Sequence, residues 1–507
     1  MSEFISVFQN RQGMLLEAIW EHLQISLISL IIAILIAVPL GLVLTRFPRV
    51  AEPIIGISAV LQTIPSLAVL AFLIPLFGIG TTPAVIALTA YGLLPILRNS
   101  YTGIKEVNPA LKEAATGLGM NSMKRLTKVE LPIAMPVIMA GIRTSMVLIV
   151  GTTTIAALIG AGGLGKLILL GIDRGADVNL ILLGAIPAAL LAIILDFILQ
   201  GFERISRRAG FKSFIVMIII AVLVVTAPFL VNTSKQADIV IAGKLGAEPA
   251  IIINMYKELI EDQTDLEVKL EPGLGKTPFL FSALKKDEID MFLEFTGTAL
   301  VTYLEEEAES NDGQEVFEQA REGMKAKYDM VFLEPMEFNN TYTVSTTQEL
   351  AERYDLKEIG DLKRIEDQIK AGFTLEFNDR YDGYVGMQDV YGLDLDVKTM
   401  EPGIRQGALK NGDVDIIDAY ATDSYMIELN LVALDDPENL FPPYQGAPLL
   451  KKKTLEKHPE IEAILNQLGG KITDEEMRQM NYEVDYEDKS PHDVAKKFLI
   501  DKGLLTE

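Results

Sequence analysis

Residues 25–44 read ISLISLIIAILIAVPLGLVL, a run of apolar residues without a single charge. A helix crosses the hydrocarbon core of a membrane with about 20 residues of this kind. Five further apolar stretches follow before residue 232, and the third of the six is the shortest. They cover residues 54–76, 83–97, 133–159, 180–199 and 214–231. The sequence therefore predicts an all-α membrane region of about six helices in residues 1–231.

Charge divides the chain into two parts of different character. Residues 1–235 hold 17 Lys and Arg against 11 Asp and Glu, a net charge of +6, whereas the remainder holds 28 against 58, a net charge of −30. An acidic domain repels phosphate backbones and the basic excess of the first part is small, so no nucleic-acid partner is expected. The absence of Cys excludes a disulfide scaffold, a Cys-based zinc site and a thiol enzyme.

Lys and Arg concentrate in alternate loops of the predicted membrane region. The loops after the first, third and fifth stretches hold 12 of them, and the segments on the other side hold 4. Cytoplasmic loops carry this excess, so the N-terminus is expected outside the cell membrane. Six crossings return the chain to the outside, and the first 22 residues lack the pattern of a signal peptide. The sequence thus predicts a multi-pass membrane protein whose C-terminal domain is extracytoplasmic.

The predicted cytoplasmic loop at residues 98–132 contains a helix signal. Asn108 is a good N-cap residue, Pro109 suits the first helical position, and Gly117 and Gly119 end the run of helix formers. We expect a short helix at the membrane surface.

The same loop carries a spaced motif. It consists of Glu113-Ala114-Ala115, Gly119, Val129 and Leu131-Pro132. This pattern resembles the EAA loop of permease subunits in binding-protein-dependent ABC importers, with Val129 in the usual Ile position. The resemblance implies a MetI-like permease in which Glu113, Ala114, Ala115 and Gly119 belong to a coupling helix that docks on an ATPase subunit.

The resemblance also implies the partners. Such permeases work in pairs, so we expect a homodimer in membrane lipid with two cytoplasmic ABC ATPase subunits. The run Gly273–Thr277 is not a complete phosphate-binding loop, because Leu270 stands where the first glycine should be. ATP is therefore expected to bind to the partner subunit. The chain itself is predicted to be a transporter subunit without catalytic residues or a cofactor.

From residue 237 onward, short β-rich runs alternate with helical ones, as in residues 238–242, 251–261 and 266–270. This alternation indicates α/β lobes, and about 270 residues suffice for two lobes with a cleft between them. We expect a permease at residues 1–231, a linker at 232–236, and a two-lobed, periplasmic-binding-protein-like domain at 237–507.

This second part resembles the substrate-binding proteins of the osmoprotectant uptake group, which take glycine betaine, choline, carnitine and related quaternary amines. The matching segments are Ile289–Thr298, Asn339–Tyr342, Glu376–Arg380, Asp418–Asp423 and Phe441–Pro448. A quaternary ammonium has no hydrogen-bond donor, so selective binding requires aromatic faces around the cation, each worth about 0.5–2 kcal/mol. The resemblance implies four cage positions, at Phe295, Tyr342, Tyr420 and Tyr444.

Polar residues near these positions are candidates for the rest of the site. Asp418 and Asp423 either add negative charge beside the cage or serve as solvated or capping groups. Thr298 either donates to a ligand carboxylate or bonds to local backbone. No metal site is predicted.

Arg380 has two interpretations. Its guanidinium either presents a bidentate fork to the ligand carboxylate or forms an internal salt bridge with Asp379 or Asp382. The sequence leaves both open.

The segments at 375–380, 399–402 and 443–448 resemble the fused permease and receptor chains of ergothioneine importers, sometimes described as bile-exclusion systems. Ergothioneine is a trimethylated histidine derivative with a carboxylate and a thione ring, which suits a cage with Arg380. Phe295 replaces the Tyr usual in osmoprotectant receptors, and Glu248-Pro249 replaces a Glu-Gln pair. We expect import of a trimethylammonium solute, with ergothioneine preferred. The alternatives are a glycine betaine, choline or carnitine importer, a bile-exclusion component and a ligand-gated sensor.

Overall fold

The computed structural model describes residues 4, 7–9, 11–173, 177–209, 216, 219, 221–223, 226, 237–275 and 277–506. The chain divides into two units, one built mainly from Arg11–Leu169 and Asn179–Lys235, the other containing Gln236–Glu507. The expected linker at 232–236 lies outside the described residues, as does most of the predicted sixth stretch at 214–231.

The membrane unit is entirely helical in the part described. Its α-helices are α1 (Gln12–Leu44), α2 (Pro48–Thr63), α3 (Ser66–Phe77), α4 (Thr81–Lys105), α5 (Pro109–Gly117), α6 (Ser122–Arg125), α7 (Leu131–Ala156), α8 (Gly165–Asp173) and α9 (Val178–Ala209). A π-helical turn, Leu126–Glu130, joins α6 to α7. Among the described residues, four helical segments are long and apolar enough to cross a membrane, or five if the bent pair α2 and α3 forms one span.

The predicted apolar stretch at 54–76 contains a sharp bend between α2 and α3. Helices α2 and α3 meet at an angle of 97°. Pro65 disfavours the α conformation in the residue before it, and Ile64 has extended angles, φ −70° and ψ 130°. The Ile64 carbonyl accepts a hydrogen bond from the Tyr91 hydroxyl at 2.5 Å instead of closing a helical turn. Hydropathy alone does not register this break.

One cluster of charges within the described membrane helices is paired. Arg143 of α7 donates through Nε and Nη2 to the two carboxylate oxygens of Asp196 on α9, at 2.8 and 2.9 Å. Its Nη1 lies 3.3 Å from Glu203 on the same helix. Pairing of this kind offsets the cost of placing charge in an apolar region.

The second unit contains two five-stranded sheets, each mixed in strand direction. The first sheet has the order β2-β1-β3-β10-β4 and the second β7-β6-β8-β5-β9. The strands are β1 (Ile239–Ala242), β2 (Val268–Glu271), β3 (Met291–Phe295), β4 (Met330–Phe332), β5 (Tyr342–Thr347), β6 (Lys370–Phe373), β7 (Asp396–Thr399), β8 (Ile416–Tyr420), β9 (Leu431–Leu434) and β10 (Gly446–Lys451). Strands β1–β3 and β6–β8 pair in parallel, whereas β10 and β5 run antiparallel to their neighbours.

Helices surround both sheets. They are α10 (Ala247–Gln263), α11 (Thr277–Lys285), α12 (Gly313–Tyr328), α13 (Gln348–Tyr354), α14 (Leu375–Asp379), α15 (Tyr384–Tyr391), α16 (Pro402–Lys410), α17 (Tyr425–Glu428), α18 (Lys452–Lys457), α19 (Glu460–Leu465), α20 (Asp474–Asp485) and α21 (Pro491–Asp501). Separate apolar cores form around the two sheets, one including Ile252 and Leu465 and the other Phe373 and Phe377. The domain is therefore two-lobed, as the alternating pattern predicts.

The chain passes between the lobes twice, at residues 339–341 and 442–445. These segments run side by side: the Asn340 amide donates to the Tyr444 carbonyl at 3.0 Å, and the Thr341 hydroxyl donates to the Pro442 carbonyl at 2.9 Å. After the second crossing, β10 inserts between β3 and β4 of the first lobe. A paired double crossing of this kind suits a hinge.

Candidate functional site: an aromatic cleft and a surface helix

The helix predicted in the 98–132 loop is present as α5. The Asn108 side chain accepts a hydrogen bond from the Ala110 amide at 2.9 Å, and Pro109 occupies the first turn. Gly119, with φ +77°, follows the helix end. The Arg125 guanidinium donates to the Thr116 hydroxyl at 3.1 Å, which fixes α5 against the following turn. Local capping signals therefore suffice to define this element.

The exposed side of α5 is partly apolar. Glu113 and Ala114 are exposed, whereas Ala115 is buried. Three large apolar side chains are also exposed here, Leu111, Leu118 and Met123. An apolar patch next to an exposed carboxylate has the composition of a protein-docking surface.

Three of the four predicted cage residues lie together in the cleft of the second unit. Tyr342 begins β5 and Tyr420 ends β8, and these two residues are direct antiparallel partners. Their rings stack with centroids 4.9 Å apart, and the Tyr444 ring meets Tyr342 edge-on at 6.2 Å. Strand register thus brings together two residues that are 78 positions apart in the sequence.

Phe295 lines the same cleft from the first lobe. It ends β3, and its ring packs edge-on against Phe338 with centroids 6.5 Å apart. The Lys244 ammonium lies 5.2 Å from the Phe295 ring centroid and 2.5 Å from the buried Glu294 carboxylate. In this structure, one face of Phe295 therefore interacts with a cation of the protein itself.

Arg380 forms an internal salt bridge, and its partner is Asp382. Its Nε and Nη2 donate to the two Asp382 oxygens at 2.6 Å each, and Nη2 also donates to the Tyr444 hydroxyl at 2.7 Å. Nη1 lies 3.2 Å from Glu376. Burial and the neighbouring Asp382 carboxylate keep the pKa of the Tyr444 hydroxyl well above its ordinary value. Tyr444 is consequently a neutral donor, bonded to Asp382 at 2.6 Å.

The two predicted aspartates occupy different places. Asp423 lines the cleft and accepts a hydrogen bond from the Tyr420 amide at 2.8 Å, and burial raises the pKa of its carboxyl. Asp418 is fully buried and does not line the cleft. It pairs with Arg405 and accepts from the Thr374 amide and hydroxyl at 2.9 and 2.8 Å. Asp418 thus holds β8 to α16 and to the residue that follows β6, and it is not exposed to the cleft. Thr298 lines the cleft from the first lobe.

Lys244 and Glu248 also line the cleft, although the sequence patterns do not select either residue as a ligand contact. Both follow the carboxyl end of β1, where α/β sheets commonly bind ligands, and this position was the available signal. Glu248 accepts hydrogen bonds from Thr422 at 2.6 Å, Asn340 at 2.9 Å and Asn481 at 3.3 Å. Burial nevertheless raises the pKa of the Glu248 carboxyl to about 7.

No group of three or more metal-ligating side chains occurs among the residues that the structure describes. The cleft instead combines aromatic rings with paired charges of both signs. Such a surface suits a small zwitterion or cation.

Two family models match the chain and together cover most of it. Residues 30–232 match the binding-protein-dependent transport system inner membrane component. Residues 237–501 match the substrate-binding domain of ABC-type glycine betaine transport systems.

Individual relatives agree with this division. The ergothioneine transport permease/ergothioneine binding protein of Helicobacter pylori is 30% identical over 462 residues, which are 88% of this chain and 82% of that protein. The choline transport system permease protein of Bacillus subtilis is 48% identical over 42% of this chain and 97% of its own length. The carnitine transport binding protein of Listeria monocytogenes is 34% identical over 54% of this chain and 89% of its own length. The chain therefore belongs to the ABC importer family, as a membrane permease fused to a glycine betaine-type substrate-binding domain.

Proposed function

We propose that this chain is the permease and the tethered receptor of an ATP-driven importer for a trimethylammonium solute, with ergothioneine as the preferred ligand. The observation that carries the proposal is the convergence of Tyr342, Tyr420 and Tyr444 in one cleft. Aromatic faces attract a quaternary ammonium through the ring quadrupole, and the ligand needs no donor for this contact. The relative from Helicobacter pylori, which shares both parts of the chain, supports the choice of ergothioneine.

The other groups of ergothioneine have suitable partners in the cleft. Its carboxylate can accept from the Lys244 ammonium and the Thr298 hydroxyl, which both line the first-lobe wall. Arg380 contributes positive charge, although its fork is bonded to Asp382. The ring N–H groups can donate to Glu376 or Asp423 on the second-lobe wall. The cleft thus offers a contact for each part of the molecule.

Glycine betaine, choline or carnitine import is the second candidate. The relatives that carry the names of choline and carnitine systems match each part of this chain at 34–48% identity. Each of these ligands has the same trimethylammonium group, so the cage alone does not discriminate among them. Discrimination has to come from the carboxylate and ring contacts.

We further propose the arrangement of the whole transporter. The permease, at residues 1–231, forms a homodimer and docks on two cytoplasmic ABC ATPases through α5, which contains Glu113, Ala114 and Ala115, and through Gly119 just after it. The receptor, at 237–507, is extracytoplasmic and follows a linker at 232–236. Tethering keeps the receptor at high effective concentration near the permease.

Calorimetry on residues 237–507 tests the ligand. The domain has its own apolar cores, and a relative that covers it is a separate binding protein. We expect tight ergothioneine binding that weakens at least about tenfold in Tyr420→Ala and Tyr444→Ala. Tyr381→Ala, which removes an exposed tyrosine, is the control and should bind like the wild type.

The panel also contains glycine betaine, carnitine, choline and a bile salt. Tight binding of one of the first three without an ergothioneine signal would return the chain to the osmoprotectant group. Binding of the bile salt alone would contradict both candidates.

A further inference from the structure

The loop at residues 421–424, named the clasp loop here, connects the two lobes of the receptor directly. It follows β8 in the second lobe, whereas its partners lie on α10 and α20 of the first lobe. The Arg478 guanidinium donates through Nε and Nη2 to the Ala421 carbonyl at 2.9 and 2.7 Å. The Asn481 amide donates to the Thr422 carbonyl at 2.9 Å. Two consecutive backbone carbonyls of one lobe are thus held by side chains of the other.

Two further hydrogen bonds, between side chains, join the clasp loop to the first lobe. The Thr422 hydroxyl donates to Glu248 at 2.6 Å, and the Ser424 hydroxyl donates to Asp485 at 2.7 Å. Glu248, Thr422 and Asn481 are all at least nine-tenths buried. Buried polar groups that lose their partners are costly, so separation of the lobes has to be accompanied by hydration of these groups.

The clasp loop is continuous with the aromatic cage. Tyr420 immediately precedes it, and the Tyr420 amide is bonded to Asp423 within the loop. The other end of this hydrogen-bonded set, Glu248, lines the cleft from the opposite lobe. The cage wall and the interlobe contact are therefore parts of one continuous chain segment.

We propose that the clasp loop and its first-lobe partners Glu248, Arg478 and Asn481 set the ratio of closed to open receptor, and thereby the affinity for every ligand that the cage accepts. This inference depends on the proposed function only for the class of ligand that the receptor binds. The apparent dissociation constant equals the intrinsic one divided by the closed fraction. Loss of the bonds made by Thr422 and Arg478 accordingly weakens all ligands by the same factor, because these bonds act on the receptor equilibrium, whereas Asp423 in the same loop is the residue proposed to contact the ligand ring.

Binding to the full-length chain in lipid nanodiscs provides the first test. Thr422→Val keeps the shape of the side chain and removes its donor, and Arg478→Met removes the bonds to Ala421. We expect each variant to bind ergothioneine, glycine betaine and choline roughly five- to tenfold more weakly, with unchanged ratios among the ligands that bind. Faster dissociation should account for most of the change. Arg478→Lys, which restores a donor, should recover part of the affinity.

Thr343→Val is the matched control, because Thr343 bonds to Ser345 within its own strand and not across the cleft. It should leave all affinities unchanged. If Thr422→Val or Arg478→Met lowers the thermal unfolding midpoint more than the control does, the proposal is judged from Arg478→Lys, which keeps the positive charge and a donor group. A change in the ratios among ligands would overturn the proposal, because it would place these side chains in ligand recognition.

A second measurement needs no ligand. The chain has no Cys, so spin labels at Asp262→Cys in the first lobe and Lys398→Cys in the second are unique. We expect Thr422→Val and Arg478→Met to shift the interlobe distance distribution toward the open form in the absence of ligand. An unchanged distribution would overturn the proposal. If no quaternary amine binds the wild type, the proposed function fails, and this measurement still decides the role of the clasp loop.

Discussion

At the scale of a single residue, we expect Glu248 to make the stability of the receptor domain depend on pH. Its pKa is raised to about 7 by burial, from an ordinary value of 4.5. Because the folded-state pKa is the higher one, the neutral carboxyl favours the folded domain. This contribution is fully present below about pH 4.5 and is lost as the pH rises through 7.

Glu248→Gln should remove this dependence, because the amide resembles the neutral carboxyl. We expect the variant of residues 237–507 to differ least from the wild type near pH 4.5 and to be more stable above pH 8, by up to about 3 kcal/mol. Urea unfolding of both proteins across this range measures the difference. A difference that does not vary with pH would contradict the raised pKa.

Gly297 determines where the Tyr444 ring can lie. A Cβ at this position would lie 2.6 Å from Cε1 of Tyr444, well inside van der Waals contact. We expect Gly297→Ala to displace the ring and to weaken ligand binding about tenfold or more, with less effect on folding. Gly407→Ala is the control, because nothing lies within 4 Å of its Cβ position. Calorimetry distinguishes the two, and equal affinities would show that the ring position does not matter.

At the scale of elements, α5 depends on one cap. Asn108→Ala removes the side-chain acceptor of the Ala110 amide, which costs about 1 kcal/mol of helix stability. With the ATPase subunits present in liposomes, we expect transport to slow several-fold while ligand binding stays unchanged. Asn108→Ser preserves the cap and should transport normally. Normal transport by Asn108→Ala would show that coupling to the ATPase does not depend on the stability of α5.

Two elements also show the limits of local patterns. The capping signals of α5 lie within a dozen residues, so the sequence predicts this helix correctly. The break between α2 and α3 depends on Pro65 together with the Tyr91 hydroxyl, which is 27 residues away from its acceptor. A composition window averages over such a break and predicts one continuous span.

At the scale of the whole molecule, the side of the membrane on which each part lies is testable because the natural chain has no Cys. Lys398→Cys in the receptor and Glu113→Cys in α5 both place a thiol on an exposed position. In intact cells, a membrane-impermeant maleimide should label the first and not the second. After permeabilisation, both should react. Labelling of Glu113→Cys in intact cells would invert the proposed orientation.

The sequence by itself determined the division into membrane helices and a two-lobed α/β domain. Hydropathy and net charge are summed over long segments, so a few atypical residues do not change the result. It also selected Tyr342, Tyr420 and Tyr444 through a resemblance in separate short segments. Only the tertiary structure decided that β5 and β8 pair Tyr342 with Tyr420 in register, that Arg380 bonds to Asp382, and that Asp418 is buried in a salt bridge with Arg405. Two aspartates, Asp379 and Asp382, are close to Arg380 in the sequence, and the direction of the side chains determines which of them it bonds. Contacts such as Thr422 with Glu248 join residues 174 positions apart, and no local pattern encodes a hydrogen bond that forms only when two lobes meet.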